Sequence, residues 1–199
     1  MSTAGGLTTA LELILGGARS GKSSLAETRA GAWLAQDPQH TATLIATATA
    51  ADDEMADRIR RHQADRATRI AAMATLEVQR DLPEALNDHT DPKRLLVVDC
   101  LTLWLTQCLM PFTGSGMDVT EWRARQSFLL QSLQARRGPV VLVSNEIGLG
   151  VLPMGRETRA FVDALGMLHQ QIAHLCTRVT LMVAGCEVTV KDERWIRPA

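Results

Sequence analysis

The sequence predicts an α/β fold, a mostly parallel sheet covered on both faces by helices, and two observations carry that expectation. Short apolar runs at residues 11–15, 43–46, 95–98, 140–143 and 179–184 alternate with helix-length amphipathic stretches. A glycine-rich turn, Gly16-Gly17-Ala18-Arg19-Ser20-Gly21-Lys22-Ser23, joins the first run to the helix-forming stretch Ser24-Leu25-Ala26-Glu27.

Each element follows from its pattern. The apolar runs are short and bounded by turn residues, as buried parallel strands are. Helices are expected at about 22–36, 52–65, 102–110, 119–136 and 157–176. The last run turns at Gly185 into a terminal strand at 188–190, which must pair antiparallel because no crossover is long enough to intervene. Residues 111–118, rich in Gly and Pro, are expected as an exposed loop. Phe161, Leu165, Leu168, Ile172 and Leu175 form a narrow seam on the last long helix, suited to a core or to a subunit contact.

With 199 residues, 46 % of them apolar, the chain can fill one core. Residues 1–10 are expected as a flexible polar tail and residues 11–199 as one domain. The net charge of −1 gives no long-range attraction for a polyanion, and four Trp, three Phe and no Tyr provide no stacking platform, so nucleic acid is not the expected partner. No apolar run approaches the roughly 20 residues of a membrane span, and the N-terminus lacks the pattern of a signal peptide. Cys100, Cys108, Cys176 and Cys186 form no Cys-x-x-Cys pair. A reducing cytoplasm fits them better than a disulfide framework or a zinc site.

The strand, turn and helix around residues 16–23 stand in the order of a P-loop. Its glycines let backbone N–H groups turn inward around phosphates, Lys22 sets a positive charge on the β and γ oxygens, and the Ser23 hydroxyl suits Mg²⁺. The run Leu95-Leu96-Val97-Val98-Asp99 ends in an acid, as a strand does whose carboxylate assists the metal. Asp99 is also close enough to the helix at Thr102 to serve as its cap.

Met55, Ile59 and His62 share one face of the stretch from Ala51 to His62, which has an acidic start and a basic end. A histidine among apolar neighbours is commonly packed structure. An imidazole nitrogen can also attack an α-phosphorus and hold a nucleotide as a phosphoramidate. Arg58, Arg60, Arg61 and Arg66 could neutralise phosphate charge or form a solvated face. His40, His89, His169 and His174 are expected to be structural or superficial.

Taken together, these residues resemble the bifunctional adenosylcobinamide kinase/adenosylcobinamide-phosphate guanylyltransferase family of cobalamin biosynthesis. The match runs through the octapeptide 16–23, Ile45-Ala46-Thr47, the Asp-Asp-Glu-Met segment at 52–55, and the Arg-Ile-x-x-His element ending at His62. It continues through Val98-Asp99-Cys100-Leu101-Thr102-Leu103-Trp104-Leu105-Thr106, Val143-Ser144-Asn145-Glu146-Ile147-Gly148-Leu149-Gly150 and Val183-Ala184-Gly185, nearly the whole chain. The resemblance implies a single-domain P-loop NTPase with a RecA-like sheet, a homotrimer, and His62 as the residue that takes up GMP.

It further implies ATP or GTP as phosphoryl donor, GTP as GMP donor, Mg²⁺, and adenosylcobinamide and its phosphate as acceptors. By the same likeness Thr49, Ala50, Ala51, Arg66, Glu77 and Asp99 would lie near the nucleotide, and Asn145 and Glu146 near the active site. The chain departs from the family pattern at Val151-Leu152-Pro153-Met154-Gly155-Arg156, at His169, where an Asn is expected, and in the strand Cys186-Glu187-Val188-Thr189-Val190. Two other functions compete with this one: a monofunctional P-loop kinase in which His62 is structural, and a RecA-like nucleotide switch acting on a partner.

Overall fold

The computed structural model describes residues 10–48, 73–150 and 153–192. Seven strands and five helices alternate along them: β1 (Leu11–Gly16), α1 (Lys22–Leu34), β2 (Thr41–Ala46), β3 (Met73–Glu77), α2 (Leu82–His89), β4 (Arg94–Asp99), α3 (Leu101–Leu109), α4 (Val119–Gln134), β5 (Val140–Val143), α5 (Arg156–Leu175), β6 (Arg178–Val183) and β7 (Cys186–Asp192).

The strands form one sheet in the order β3-β2-β4-β5-β1-β6-β7. All neighbours run parallel except β7, which turns back on β6. Ala184 and Gly185, at φ 51° and 81°, form the two-residue hairpin turn that the right-handed twist of the strands favours. This is the antiparallel C-terminal strand expected from the sequence, though longer than residues 188–190.

Alternation along β1 builds two cores at once, because successive side chains leave opposite faces. Leu11 and Leu13 join the core under α2–α5, together with Trp104, Leu129, Leu165, Leu168 and Ile172. Ile14 joins the core under α1, with Leu25, Trp33, Leu44, Val97 and Val143. The seam on α5 is therefore core: Leu165, Leu168 and Ile172 are buried, and Phe161 and Leu175 pack against the same cluster.

The sequence reading missed two elements. β3 is short and half-exposed, with Ala74, Thr75 and Glu77 open to solvent, so its apolar signal is weak. α2 has only eight residues, and its buried face comprises Leu82, Pro83, Ala85 and Leu86. Residues 111–118 do form a loop, and Asp118 closes it with a capping box at the start of α4, accepting from the amides of Thr120 and Glu121. The expected helix at 52–65 lies outside the described residues. Among the described residues no helix is long and apolar enough to cross a membrane.

Candidate active site

Parallel strands deliver the loops that follow them to their carboxyl edge, where open α/β sheets bind ligands. The register sets Asp99 level with Ala46 and Val143, Ala46 level with Glu77, and Val143 level with Ile14. The octapeptide after β1, Glu77 at the end of β3, Asp99 at the end of β4 and Asn145-Glu146 beyond β5 thus share one edge. β5 lies between β4 and β1, so residues 144–146 stand between Asp99 and the glycine-rich loop.

The loop has the backbone its glycines were expected to allow. Gly16 and Gly21 take φ 153° and 101°. A Cβ at Gly16 would lie 2.5 Å from the Met182 carbonyl oxygen and 2.6 Å from Ser20 Oγ, so only glycine fits beside β6. Arg19, a non-glycine at φ 55°, completes the turn. The hairpin between β6 and β7 braces it, with the Gly185 amide donating to the Ser20 carbonyl at 3.0 Å.

Lys22 opens α1 behind a left-handed Gly21 and is buried. Its ammonium donates to the Gly17 carbonyl at 2.6 Å and stands 3.5 Å from Ser20 Oγ. Gly17, Ala18 and Arg19 are exposed, and Ser23 is half-buried in the first helical turn. The N-terminus of α1, the positive end of its dipole, therefore adjoins the loop.

The residues opposite the loop hold together tightly. α3 starts behind Cys100, with no side-chain cap, so Asp99 does not serve that helix as its cap. The Thr47 hydroxyl donates to the Cys100 carbonyl at 2.7 Å and accepts from the Cys100 amide at 2.8 Å, tying the ends of β2 and β4. Burial, and then the neighbouring Asp99, push the Cys100 thiol up to about 12, so it stays protonated.

A polar chain that the sequence did not reveal runs beneath the same edge. Thr102 Oγ1 lies 3.0 Å from Ser144 Oγ, and Ser144 Oγ lies 2.8 Å from His169 Nε2. His169 Nδ1 faces Glu146 Oε2 at 3.7 Å, and the other Glu146 oxygen accepts from the Gly148 amide at 2.7 Å. Ser144 and Thr102 are buried, and His169 is 6 % exposed. Burial lowers the imidazole pKa against the opposing pull of Glu146. His169 is thus buried and partnered with an acid 23 positions away, which no local spacing could reveal.

The remaining expected residues fall as follows. Thr49, Ala50, Ala51, His62 and Arg66 lie outside the described residues. His40 stacks on Trp33 with centroids 3.6 Å apart, and the His89 carbonyl accepts from Arg94. Cys186 is exposed on β7, whereas Cys108 is buried in α3. Glu12, which the sequence reading passed over, is a buried acid held by Arg29, Arg178 and Thr180. Its signal was a charge inside an apolar strand.

A mostly parallel sheet with this octapeptide wrapped around the start of its first helix defines a P-loop α/β protein. Within that class, residues 12–190 match the model of the cobinamide kinase / cobinamide phosphate guanyltransferase family, and the chain belongs to that family. It is 45 % identical over 182 residues to the bifunctional adenosylcobalamin biosynthesis protein CobP of Pseudomonas aeruginosa, covering 92 % of this chain and 98 % of that one. The CobU proteins of the same description from Escherichia coli and Salmonella typhimurium are 34 % and 35 % identical over 188 residues, covering 90 % of this chain and 98 % of theirs. Among solved structures, the flagellar accessory protein FlaH of Methanocaldococcus jannaschii shares the fold at a TM-score of 0.51 and 13 % identity, covering 92 % of this chain and 79 % of that one.

Proposed function

We propose that this enzyme carries out two successive transfers at the carboxyl edge of its sheet. In the first, the hydroxyl oxygen of the adenosylcobinamide side arm attacks the γ-phosphorus of ATP or GTP. The bond to the β–γ bridging oxygen breaks, the nucleoside diphosphate leaves, and the hydroxyl proton is released. In the second, a nitrogen of His62 attacks the α-phosphorus of GTP and pyrophosphate leaves. A phosphate oxygen of adenosylcobinamide-phosphate then attacks the GMP phosphorus, the N–P bond breaks, and adenosylcobinamide-GDP forms.

The observation that supports this reading is the octapeptide turn at the N-terminus of α1, on the same sheet edge as the strand-end acids of β3 and β4, within a chain that matches the family over residues 12–190. Residues 16–21 offer backbone N–H groups to the phosphates, and Lys22 neutralises the β and γ oxygens as charge develops. Ser23 and Asp99 present a hydroxyl and a carboxylate, the hard oxygen donors that suit Mg²⁺. Two protein oxygens are in keeping with an ion held partly by the phosphates, and Mg²⁺ would supply charge neutralisation between the β and γ groups. Among the described residues no cluster of three His, Cys, Asp or Glu could hold a metal by itself. Glu77, Thr49, Ala50, Ala51 and Arg66 are assigned to the nucleotide, on the family likeness.

The same reading makes the protein a cytoplasmic homotrimer, a state that light scattering on the purified chain measures directly. The activity is tested by incubating the enzyme with adenosylcobinamide, GTP and Mg²⁺ and separating the corrinoid products by mass. Both adenosylcobinamide-phosphate and adenosylcobinamide-GDP are expected. Phosphate alone would make the chain a monofunctional kinase, and neither product would remove the reading altogether.

A further inference from the structure

The buried chain from Thr102 to Glu146 has a direction, which its fixed donors determine. The Asn145 amide can only donate, and it donates to Thr102 Oγ1 at 2.9 Å. At the other end, His169 Nδ1 faces a carboxylate oxygen at 3.7 Å, where a bare lone pair would be repelled, so that nitrogen carries the ring's proton. Nε2 is then an acceptor, and only the Ser144 hydroxyl, 2.8 Å away, can supply its hydrogen. Ser144 Oγ in turn accepts from Thr102 Oγ1 at 3.0 Å. Every hydrogen runs one way, from the Asn145 amide through two hydroxyls and the imidazole to Glu146.

The end of the chain is the informative part. Ser144, Thr102 and His169 are buried, whereas the Glu146 side chain keeps 22 % of its surface open. The Glu146 amide donates to the Gly16 carbonyl at 3.0 Å, so the residue sits directly on the first glycine of the phosphate loop. Its position past β5 sets it between that loop and Asp99. One oxygen of this acid is held by the Gly148 amide at 2.7 Å and the other faces the imidazole at 3.7 Å, on a residue that stands at the edge where phosphates bind.

We propose that Glu146 accepts the proton of the attacking hydroxyl during phosphoryl transfer and that His169 is the positioning residue that aims its carboxylate. This rests on the kinase reading above. In the balanced step the acceptor oxygen bonds to the γ-phosphorus, the bridging P–O bond breaks with its electron pair on the departing diphosphate, and the hydroxyl proton passes to Glu146. The buried neutral imidazole keeps its own proton throughout.

The two amide substitutions at His169 separate positioning from mere packing. An asparagine amide reproduces the Nδ1 donor toward Glu146, and a glutamine amide reproduces the Nε2 position toward Ser144. Steady-state phosphorylation of adenosylcobinamide is measured for the wild type, Glu146→Gln, His169→Asn and His169→Gln, with triphosphate affinity and melting temperature as controls of folding. Glu146→Gln should lower kcat about 100-fold, the usual scale of general-base catalysis, with little change in KM for the triphosphate. His169→Gln should lower kcat about tenfold, and His169→Asn should stay within about threefold of wild type. Full kcat in Glu146→Gln, or better rescue by Gln than by Asn, would overturn the proposal while leaving the kinase reading intact. A wild type that transfers no phosphoryl group would instead overturn the kinase reading, and this proposal with it.

Discussion

The ammonium of Lys22 reaches back across its own loop to the Gly17 carbonyl at 2.6 Å, joining the end of the turn to its beginning. A charged donor to a backbone carbonyl is a strong bond, and this one holds the buried lysine against its own loop. Replacing it removes a charge from the site while the glycine backbone, braced by Gly185 and Met182, keeps its shape. Lys22→Ala should weaken triphosphate binding by about 10- to 100-fold, roughly 1.4–2.8 kcal/mol. Calorimetric titration with a non-hydrolysable analogue measures it, and unchanged affinity would separate the lysine from the phosphates.

Glu12 and Arg29 predict a stability effect without a direct functional one. Glu12 is 2 % exposed, and its carboxylate takes Arg29 at 3.0 Å, Arg178 at 3.4 Å and the Thr180 hydroxyl at 2.9 Å. Burial would discharge the Arg29 guanidinium, but Glu12 and Glu187 outweigh it and raise its pKa. Glu12→Gln leaves these cations without their buried partner, a loss of about 3 kcal/mol. For a chain of this size that is a fall in Tm of roughly 6–12 °C, read by a thermal melt.

The thiols should divide sharply. Cys100, Cys108 and Cys176 are buried, and burial pushes Cys100 and Cys108 up to about 12, whereas Cys186 is exposed on β7. A thiolate-selective reagent should modify Cys186 rapidly in the native protein and all four cysteines after denaturation. Rapid modification of a second cysteine in the native state would contradict the burial described here.

His169 gives a pH dependence with a definite sign. Its folded-state pKa lies below the ordinary value because burial disfavours the imidazolium more than Glu146 favours it. Between those two values the unfolded chain holds more protons at this position, so stability falls as pH drops through about 6.5 and ceases to fall below the folded value. Melting temperatures of wild type and His169→Gln should therefore diverge least in acid, the wild type losing more on going from pH 7.5 to pH 5. A wild-type loss no larger than the variant's would place the imidazolium comfortably in the fold.

What the sequence made legible is local chemistry. The octapeptide stood out because glycine positions, a lysine and a hydroxyl at fixed spacing obey one mechanism, and the central strands stood out because they are buried on both faces. β3 and α2 were missed because an edge strand with Ala74 and Thr75 exposed, and a helix of eight residues, carry too little periodicity. The Ser144–His169 contact was invisible because it joins the end of β5 to the middle of α5 through tertiary packing alone. Glu12 was the exception, a buried acid within a hydrophobic strand whose partners lie on α1 and β6.

The central claim is that His62 carries GMP from GTP to adenosylcobinamide-phosphate within the second transfer, and intact-protein mass after incubation with GTP and Mg²⁺ tests it most directly. Wild type should gain the mass of one GMP, acid treatment should remove it, and His62→Ala should show no gain while still binding triphosphate. A wild type that binds GTP and gains nothing, or a His62→Ala variant that still carries the adduct, would contradict it.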